Sequence, residues 1–263
     1  MNEIAHPAPL VFITGASSGI GQALAAEFAR QGWSLALVAR REAELHEWVR
    51  AQGLPPHRVG VYRADVSDPD SVIAAGQACL AAQGLPDAVI ANAGISVGMD
   101  TAEREDLDVM RDTLATNVTG MAATFHPFVG PMRQRRRGTL VGVASVAAIR
   151  GLPGHGAYCA SKAAVVAYCE SLRGECRPHG VKVVTLLPGY IATPLTARNP
   201  YPMPFLMPAE AFAQHAWRAI VAGDSYRVIP WPMGVVAKLL RLLPNPVFDR
   251  VFAGRGRKPR RGT

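Results

Sequence analysis

The amino-acid sequence predicts a single α/β domain with parallel strands. Short apolar runs alternate with helical patterns along the chain, and no break between them marks a domain boundary. The chain has 263 residues, of which 49% are hydrophobic, and this is enough to enclose one large core. A glycine-rich turn joins the first predicted strand to the first predicted helix, as is typical of α/β domains that bind nucleotides.

The first strand, turn and helix occupy residues 9–30. An apolar run at residues 9–13 leads into TGASSGIG at residues 14–21, and a helical pattern follows over residues 22–30. Glycines let the backbone approach a pyrophosphate, and a helix N-terminus supplies free N–H groups and the positive end of a dipole. The spacing is GxxxGxG instead of GxGxxG, so a purely structural turn is the alternative. The strand before it and the helix after it favour dinucleotide binding.

The second strand, Ser34–Ala39, is followed at once by Arg40 and Arg41. An acid at this strand end would bind the ribose 2′-hydroxyl of NAD, whereas an arginine accommodates the 2′-phosphate of NADP. The charge therefore favours NADP(H), with Arg40 as its determinant. The alternative is that the arginines only open a solvated helix, which fits Arg41 better than Arg40.

The remaining elements continue the alternation. Helical patterns cover residues 42–52, 102–133, 156–177 and 208–222, another helix opens at Asp68-Pro69, and strands are predicted at 58–63, 85–91, 138–144, 181–187 and 227–229. Two strands end at Asp65-Val66 and at Asn92-Ala93-Gly94, and the small residues of the second suggest a close approach to a ligand. Asn117 interrupts the longest helical pattern, so we expect it to bind the backbone locally or to join a polar network.

Three side chains with useful chemistry lie between residues 145 and 162. Ser145 follows a buried strand, at the end where ligands bind in open α/β sheets. Tyr158 and Lys162 are four apart and share one helix face. A nearby ammonium lowers the pKa of a phenol, which could then exchange a proton with an alcohol or a carbonyl oxygen. The alternative is an exposed pair that occurs by chance.

The segment at residues 190–207 is rich in proline and large apolar side chains, which is typical of a lid or substrate loop. It favours a lipophilic or aromatic substrate over a sugar. His155, three residues before Tyr158, could line the same pocket, although a surface histidine in the loop between Gly154 and Gly156 is the alternative.

Composition excludes several classes of protein. The N-terminus has no basic region before an apolar stretch, so we predict no signal peptide, and no apolar run is long enough to cross a membrane. The four cysteines show no CxxC or metal-ligand spacing, which indicates reduced thiols in the cytoplasm and no metal site. The net charge is +8, but five cations lie in the last nine residues, and without them the charge is +3. The tail lacks interleaved aromatic residues, so we expect no specific nucleic-acid binding.

Residues 231–263 form a separate C-terminal segment that follows the last predicted strand. A short apolar helix is predicted at residues 233–243, a second apolar stretch at residues 247–252, and the basic tail follows. Two interpretations remain open. The segment could pack on the lid or on a second subunit, or it could lie in a membrane interface with the basic tail drawn to anionic lipid.

Several motifs follow one another along the chain: TGASSGIG, NAG, a lone asparagine, a serine, YxxxK, and PG with a downstream threonine. With this ordered set, the sequence resembles the short-chain dehydrogenase/reductase family over residues 9–230. The resemblance implies a Rossmann-type, doubly wound parallel sheet of seven strands with helices on both faces. It implies that Tyr158 is the acid/base, that Ser145 steadies the substrate oxygen, and that Lys162 lowers the Tyr158 pKa and binds the nicotinamide ribose. Asn117 is similar to the residue that holds a water in a proton relay.

The resemblance also implies a set of cofactor contacts. These are Gly15, Ser17, Ser18, Ile20 and Gly21 for the pyrophosphate and ribose, Asp65 and Val66 for adenine, Asn92 and Gly94 beside the adenine ribose, Ile191 and Thr193 for the carboxamide, and Arg40 for the 2′-phosphate. The departures are Ala91 and Cys159, where the family often has asparagine and serine. Neither removes an atom that the proposed chemistry uses.

These observations lead to one expected function and one alternative of another class. We expect an NADP(H)-dependent enzyme that interconverts a carbonyl and an alcohol by hydride transfer on a lipophilic small molecule. Residues 1–230 would form the catalytic domain. We expect a cytoplasmic homo-dimer or homo-tetramer, with peripheral membrane contact through residues 231–263 as the other interpretation of that segment. The alternative function is a non-catalytic dinucleotide-binding scaffold or sensor.

Overall fold

Seven parallel strands form the central sheet of the protein. The computed structural model describes residues 8–197, 199–254 and 256–262. Outside these ranges lie residues 1–7, residue 198 of the predicted lid, and residues 255 and 263 of the basic tail. The strands are β1 (Leu10–Thr14), β2 (Ser34–Ala39), β3 (Val59–Arg63), β4 (Ala88–Ala91), β5 (Gly138–Val143), β6 (Val181–Pro188) and, after two short strands described below, β9 (Tyr226–Ile229). Their order across the sheet is β3-β2-β1-β4-β5-β6-β9, and every neighbouring pair is parallel. The predicted seven-stranded parallel sheet is confirmed.

Helices cover both faces of this sheet. They are α1 (Gly19–Arg30), α2 (Glu42–Ala51), α3 (Pro69–Ala82), α4 (Asp106–Leu114), α5 (Gly120–Arg135), α6 (Gly156–Cys176), α7 (Ala209–Ala222), α8 (Trp231–Leu242) and α9 (Asn245–Phe252). Helices α1, α2 and α7 pack on one face, and α3, α5 and α6 pack on the other. Because both faces are covered, the central strands are apolar almost throughout; the LVFIT sequence of β1, for example, is wholly buried.

The strand order reverses between β1 and β4, which are direct neighbours in the sheet. The chain runs outward from β1 through β2 to β3, and then returns to place β4 on the other side of β1. In open α/β sheets, the loops that leave the carboxyl ends of the strands diverge at such a point and leave a crevice between them. The reversal therefore fixes where a ligand cleft opens in this molecule.

The prediction of one continuous helix over residues 102–133 is wrong. Residues 102–105 are turns, α4 ends at Leu114, and a single π turn at Ala115–Thr119 separates it from α5. Asn117 lies inside this π turn. Such turns interrupt the regular hydrogen-bond ladder of a helix and are frequent at functional sites.

Two predicted strands begin later than expected. Strand β3 starts at Val59 because Pro56–Arg58 form a 3-10 turn. Strand β4 starts at Ala88, and the carbonyl oxygens of Leu85 and Pro86 before it accept hydrogen bonds from the Arg135 guanidinium. The other strand and helix boundaries lie within a few residues of the prediction.

The C-terminal segment folds against the sheet domain. A Cβ on Gly234 of α8 would lie 3.2 Å from Val228 of β9, so the helix packs closely on the edge strand. Arg150 donates hydrogen bonds to the carbonyl oxygen of Leu243 (2.7 Å) and to Oδ1 of Asn245 (3.1 Å). Within the described ranges, none of the helices has the length and apolar character needed to cross a bilayer.

The four cysteines, Cys79, Cys159, Cys169 and Cys176, are all buried free thiols. Cys79 lies in α3, and the other three lie in α6. None therefore contributes a disulfide to the fold.

Candidate active site

The turn between β1 and α1 brings three backbone segments into close contact. Gly15 has a φ of +68°, and a Cβ there would lie 2.8 Å from Ala93 Cα, so a larger residue would be strained and would collide. A Cβ on Gly21 would collide with the Gly15 carbonyl oxygen. Asn92 Nδ2 donates to the carbonyl oxygens of Thr14 (3.0 Å) and Gly15 (3.3 Å). The Asn92 side chain thus holds the turn in place from the neighbouring strand.

Thr14 joins the ends of β1 and β4 at the point where the strand order reverses. Its buried hydroxyl donates to the Ile90 carbonyl oxygen and accepts from the amides of Asn92 (3.2 Å) and Ala93 (3.3 Å). The sequence-based predictions give this residue no role. A threonine at the end of a buried strand is the signal that could have identified it, since a buried hydroxyl needs partners.

The N-terminus of α1 faces the same space. Ser18 precedes the helix in an extended conformation, and its side chain does not accept a hydrogen bond from the first turn. The first N–H groups of a helix carry the positive end of its dipole and bind anions when no side chain caps them. This arrangement suits the diphosphate of a dinucleotide.

A cleft of about 840 Å³ opens along the carboxyl ends of the strands. It is lined by Ser145 and by nearly all of the predicted cofactor residues: Gly15, Ser17, Ser18, Ile20, Arg40, Asp65, Val66, Asn92, Gly94, Tyr158, Lys162, Ile191 and Thr193. Two predicted site residues, Gly21 and Asn117, stand behind its wall. Gly21 allows α1 to pack on the turn, and Asn117 supports the segment that carries Gly94.

Two arginines stand at the end of β2. Arg40 Nη1 lies 3.6 Å from Asp65 Oδ2; the Arg40 side chain is exposed and that of Asp65 is partly exposed. Arg41 Nη2 donates to Ser17 Oγ at 3.3 Å, and its Nη1 lies 3.1 Å from Glu44 Oε1. The sequence favours a role for Arg41 at the helix start alone. The residue does precede α2, but it also lines the cleft, so the prediction for Arg41 was incomplete.

Ser145, Tyr158 and Lys162 meet at the inner end of the cleft. Ser145 follows β5, and Tyr158 and Lys162 lie one turn apart in α6, as their spacing predicts. Lys162 is buried and its Nζ donates to the Val143 carbonyl oxygen at 2.8 Å. A Cβ on Gly94 would lie 3.4 Å from this Nζ, so a glycine there leaves room for the ammonium.

Burial and hydrogen bonding act in opposite directions on the pKa of Tyr158. In the structure burial is the main influence and raises the pKa of Tyr158, while a hydrogen bond with Ser145 acts in the opposite direction. Lys162 Nζ is 5.8 Å from the centre of the Tyr158 ring, and burial lowers the pKa of Lys162 itself to about 8. In this geometry the hydroxyl of Ser145 favours the phenolate.

The π turn places Asn117 behind Ser145, Tyr158 and Lys162. Asn117 Oδ1 accepts from the Ile95 amide at 2.8 Å, and its Nδ2 donates to the Ile95 carbonyl oxygen at 3.0 Å and to Ser161 Oγ at 2.9 Å. Ser161 lies between Tyr158 and Lys162 in α6. The predicted polar network around Asn117 is therefore present, and Ser161 is a member that the sequence-based predictions missed.

Aromatic side chains gather beside Tyr158. The rings of His155 and Tyr201 meet edge to face with centres 5.7 Å apart, and the ring centre of Tyr190 lies 6.4 Å from that of Tyr201. Burial raises the pKa of Tyr201 to about 12, with Tyr190 and Tyr158 adding to the shift. His155 is buried, and this burial lowers its pKa. The alternative of a surface histidine was therefore wrong.

The predicted lid at residues 190–207 is closed at its base. Its first residues form β7 (Ile191–Ala192), which pairs with β8 (Met207–Pro208). Thr196 Oγ1 accepts from the Thr193 amide at 3.1 Å and donates to the Ile191 carbonyl oxygen at 2.6 Å. These contacts fix Thr193 at the cleft wall, while Phe205 and Leu206 are exposed at the tip of the segment.

Comparison with known proteins gives a consistent result. The family model described as short chain dehydrogenase matches residues 9–201. A protein of Myxococcus xanthus described as an uncharacterized oxidoreductase is 40% identical over 252 residues, which cover 95% of this chain and 97% of that protein. A short chain dehydrogenase/reductase from Burkholderia phymatum, solved in complex with NAD, is 26% identical with a TM-score of 0.79, and the match covers 88% of this chain and 92% of that one. An alcohol dehydrogenase from Thermococcus sibiricus, complexed with 5-hydroxy-NADP, is 27% identical with a TM-score of 0.73, covering 84% of this chain and 95% of that one.

The doubly wound sheet and the matches together define an oxidoreductase of the class that uses NAD or NADP and acts on CH–OH groups. Within that class, the chain belongs to the short-chain dehydrogenase/reductase family. Members of this family act on small molecules and typically form oligomers.

Proposed function

We propose that the protein is an NADP(H)-dependent oxidoreductase that interconverts a carbonyl and an alcohol, with Tyr158 as the acid/base. One observation carries the proposal. Ser145, Tyr158 and Lys162 line the same cleft as the glycine turn and the α1 N-terminus. A proton donor and an anion-binding turn in one cleft suit a substrate oxygen and a dinucleotide at the same time.

The cleft fits a dinucleotide on structural grounds. The glycine turn leaves a cradle that a Cβ at residue 15 would fill, and the uncapped start of α1 at Gly19 points into the same space. When bound, the nicotinamide would supply the hydride chemistry. Gly15, Ser17, Ser18 and Ile20 would hold its diphosphate and adjacent ribose, and Ile191 and Thr193 would hold its carboxamide.

Tyr158 and its neighbours would manage the proton. In the direction of reduction, the Tyr158 hydroxyl would donate a proton to the substrate oxygen, which Ser145 would hold by a hydrogen bond. The Lys162 ammonium, fixed by the Val143 carbonyl oxygen, would bind the nicotinamide ribose. Asn117 would hold the Ile95 segment against α6 through its hydrogen bonds to Ile95 and Ser161. This supports a place for Asn117 in a proton relay.

The two arginines at the end of β2 support a preference for NADP(H). Arg40 and Arg41 both line the cleft beside Ser17, on the side of the adenine pocket formed by Asp65 and Val66. A guanidinium binds a phosphate through charge-assisted hydrogen bonds, which are about twice as strong as neutral ones. The Burkholderia phymatum structure contains NAD and the Thermococcus sibiricus structure a derivative of NADP, so the fold serves both.

The rings beside Tyr158 support a lipophilic or aromatic substrate. The rings of His155 and Tyr190 both pack against that of Tyr201. Tyr158 lies close enough to Tyr201 to raise its pKa, so aromatic side chains are concentrated in the lid region. Aromatic surfaces favour flat or apolar ligands, whereas a sugar would need several hydrogen-bonding groups.

The C-terminal segment is proposed as a contact with a second copy of the chain. Trp231, Val235, Leu239 and Leu242 form an exposed apolar stripe along α8. Three arginines of the basic tail are paired with carboxylates of the same chain, which weakens the case for a membrane interface because that interpretation needs free cations. The cytoplasm is the proposed location, since the free buried thiols suit a reducing compartment.

The test is turnover by the purified protein. NADPH oxidation, followed by its near-ultraviolet absorbance with a panel of aromatic and aliphatic ketones, should be at least about a hundredfold slower in Tyr158→Phe, because proton transfer of this kind contributes about 10²–10⁴-fold. The variant should bind NADPH as the wild type does, which is measured by fluorescence titration. Cofactor binding without turnover on any carbonyl would favour the alternative, a dinucleotide-binding scaffold or sensor.

A further inference from the structure

The basic tail returns to the cleft. Residues 256–262, here called the C-terminal strap, run between the segment after β4 and the lid. The Gly98 amide donates to the Pro259 carbonyl oxygen at 3.0 Å, and Gly98 and Arg260 form a parallel β-bridge. Lys258 Nζ donates to the Leu195 carbonyl oxygen at 3.1 Å. A tail whose composition suggests solvent or lipid as its surroundings is therefore docked on its own chain.

Ion pairs hold the strap to α4 and to the turns before it. The pairs are Arg257–Asp100 (3.6 Å), Arg260–Glu103 (3.5 Å), Arg260–Asp106 (2.6 Å) and Arg261–Asp112 (3.0 Å). The Asp106 side chain is buried, so its pair with Arg260 is screened less by salt than a fully exposed pair would be. The other three pairs are more exposed, so each contributes little alone and salt weakens all of them.

The two anchors of the strap belong to the wall of the dinucleotide cleft. Leu195, which accepts from Lys258, lines the cleft from the lid, and Asp112, which accepts from Arg261, lines it from α4. Arg261 itself also lines the cleft. The strap therefore links two lining residues, one from the lid and one from α4, and adds its own cation to the lining of the cleft.

We propose that the C-terminal strap is part of the dinucleotide-binding site: it closes the cleft over the bound dinucleotide and has to lift before the dinucleotide can leave. The proposal rests on the proposed function, because it requires NADP(H) to occupy this cleft. Arg261, which lines the same cleft as the glycine turn, would then face an anionic ligand. The matched family model ends at residue 201, so the family motifs do not assign this role to the strap.

The proposal predicts that the strap controls the rate of cofactor release. Protein loaded with NADPH would be mixed in a stopped-flow instrument with excess NADP⁺, and NADPH release followed by the loss of its fluorescence. We expect removal of residues 254–263 to accelerate release about tenfold, because all the ion pairs and backbone contacts of the strap are lost together. Raising the salt concentration should accelerate release more in the wild type than in the shortened protein, because only the wild type has these pairs to screen.

Point variants separate the strap from any effect of truncation on folding. Arg261→Glu should accelerate release several-fold, and adding Asp112→Lys should restore much of the wild-type rate by reversing the pair. Arg250→Ala, a change of an exposed arginine in α9, is the matched control and should leave the rate unchanged. Equal release rates in the wild type, the shortened protein and Arg261→Glu would overturn the proposal while leaving NADPH binding intact. Failure of the wild type to bind NADPH would overturn the proposed function, and the role of the strap with it.

Discussion

Asn117 Nδ2 donates a 2.9 Å hydrogen bond to Ser161 Oγ, and this bond ties the π turn to the helix that carries Tyr158 and Lys162. Ser161 Oγ also donates to the Tyr158 carbonyl oxygen at 2.8 Å. The side chains of Asn117 and Ser161 are both buried, so neither can exchange these partners for water. The hydroxyl of Ser161 is therefore a positioning group for the two residues that would do the chemistry.

We expect Ser161→Ala to lower kcat about tenfold while reducing the free energy of unfolding by only about 1–2 kcal/mol, because it removes one buried bond of Asn117 without creating a large cavity. Ser171→Ala, an exposed change in the same helix, is the control. Steady-state kinetics and denaturant unfolding give the two quantities. A loss of stability without any change in kcat would show that Ser161 is only structural.

The cofactor preference should depend on both arginines at the end of β2. Arg40→Asp is expected to lower the ratio of kcat/KM for NADPH over NADH at least about tenfold, because an acid there repels the 2′-phosphate and can bind a 2′-hydroxyl. Arg41→Ala should lower the ratio less, and the double variant more than either single change. Arg50→Ala, on the exposed side of α2, should not alter it. An unchanged ratio in the double variant would mean that another residue binds the phosphate.

The pH dependence of activity should reflect the ionisation of Lys162. Burial lowers the pKa of its ammonium to about 8, so the positive charge is present below that pH and is lost as the pH rises through it. We expect kcat/KM for NADPH, which reflects the free enzyme, to fall above about pH 8. In Lys162→Arg the guanidinium stays charged, so the residual activity should show no decline in that range. A wild-type profile that stays flat well above this pKa would contradict the assignment.

Gly21→Ala should weaken dinucleotide binding in the cleft even though residue 21 does not line it. The added methyl group would collide with the Gly15 carbonyl oxygen and would lie 2.6 Å from Asn92 Nδ2, so the turn has to move. We expect a loss of about 1–3 kcal/mol of stability and a much weaker affinity for NADPH. Gly174→Ala, in α6 with open space around it, is the control and should be neutral or stabilising. Thermal unfolding and fluorescence titration measure both effects.

Much of the fold and of the site follows from local pattern. The LVFIT and SLALVA runs predict buried parallel strands because their side chains are apolar on both faces of the sheet. The four-residue spacing of Tyr158 and Lys162 fixes their common side of α6, since helix geometry leaves no other choice.

Other features depend on partners that are distant in the sequence. The π turn at Asn117 is stabilised by Ile95 and Ser161, which lie 22 and 44 residues away, and no pattern within the helix indicates it. The pairing of Arg261 with Asp112 spans 149 residues and depends on where the tail lies in space. A run of basic residues has the same composition whether it is solvated or docked, so composition alone cannot distinguish the two.

The reactivity of the four buried cysteines can be used to measure local opening of the helices that carry them. Burial raises the pKa of Cys79 to about 12 and that of Cys169 to about 11, so neither thiol forms an appreciable amount of thiolate at neutral pH while the native packing persists. An alkylating reagent can therefore reach them only when α3 or α6 separates from the sheet. The rate of labelling at each position measures how often that helix opens, and Cys159, next to Tyr158, would report the opening of that part of α6.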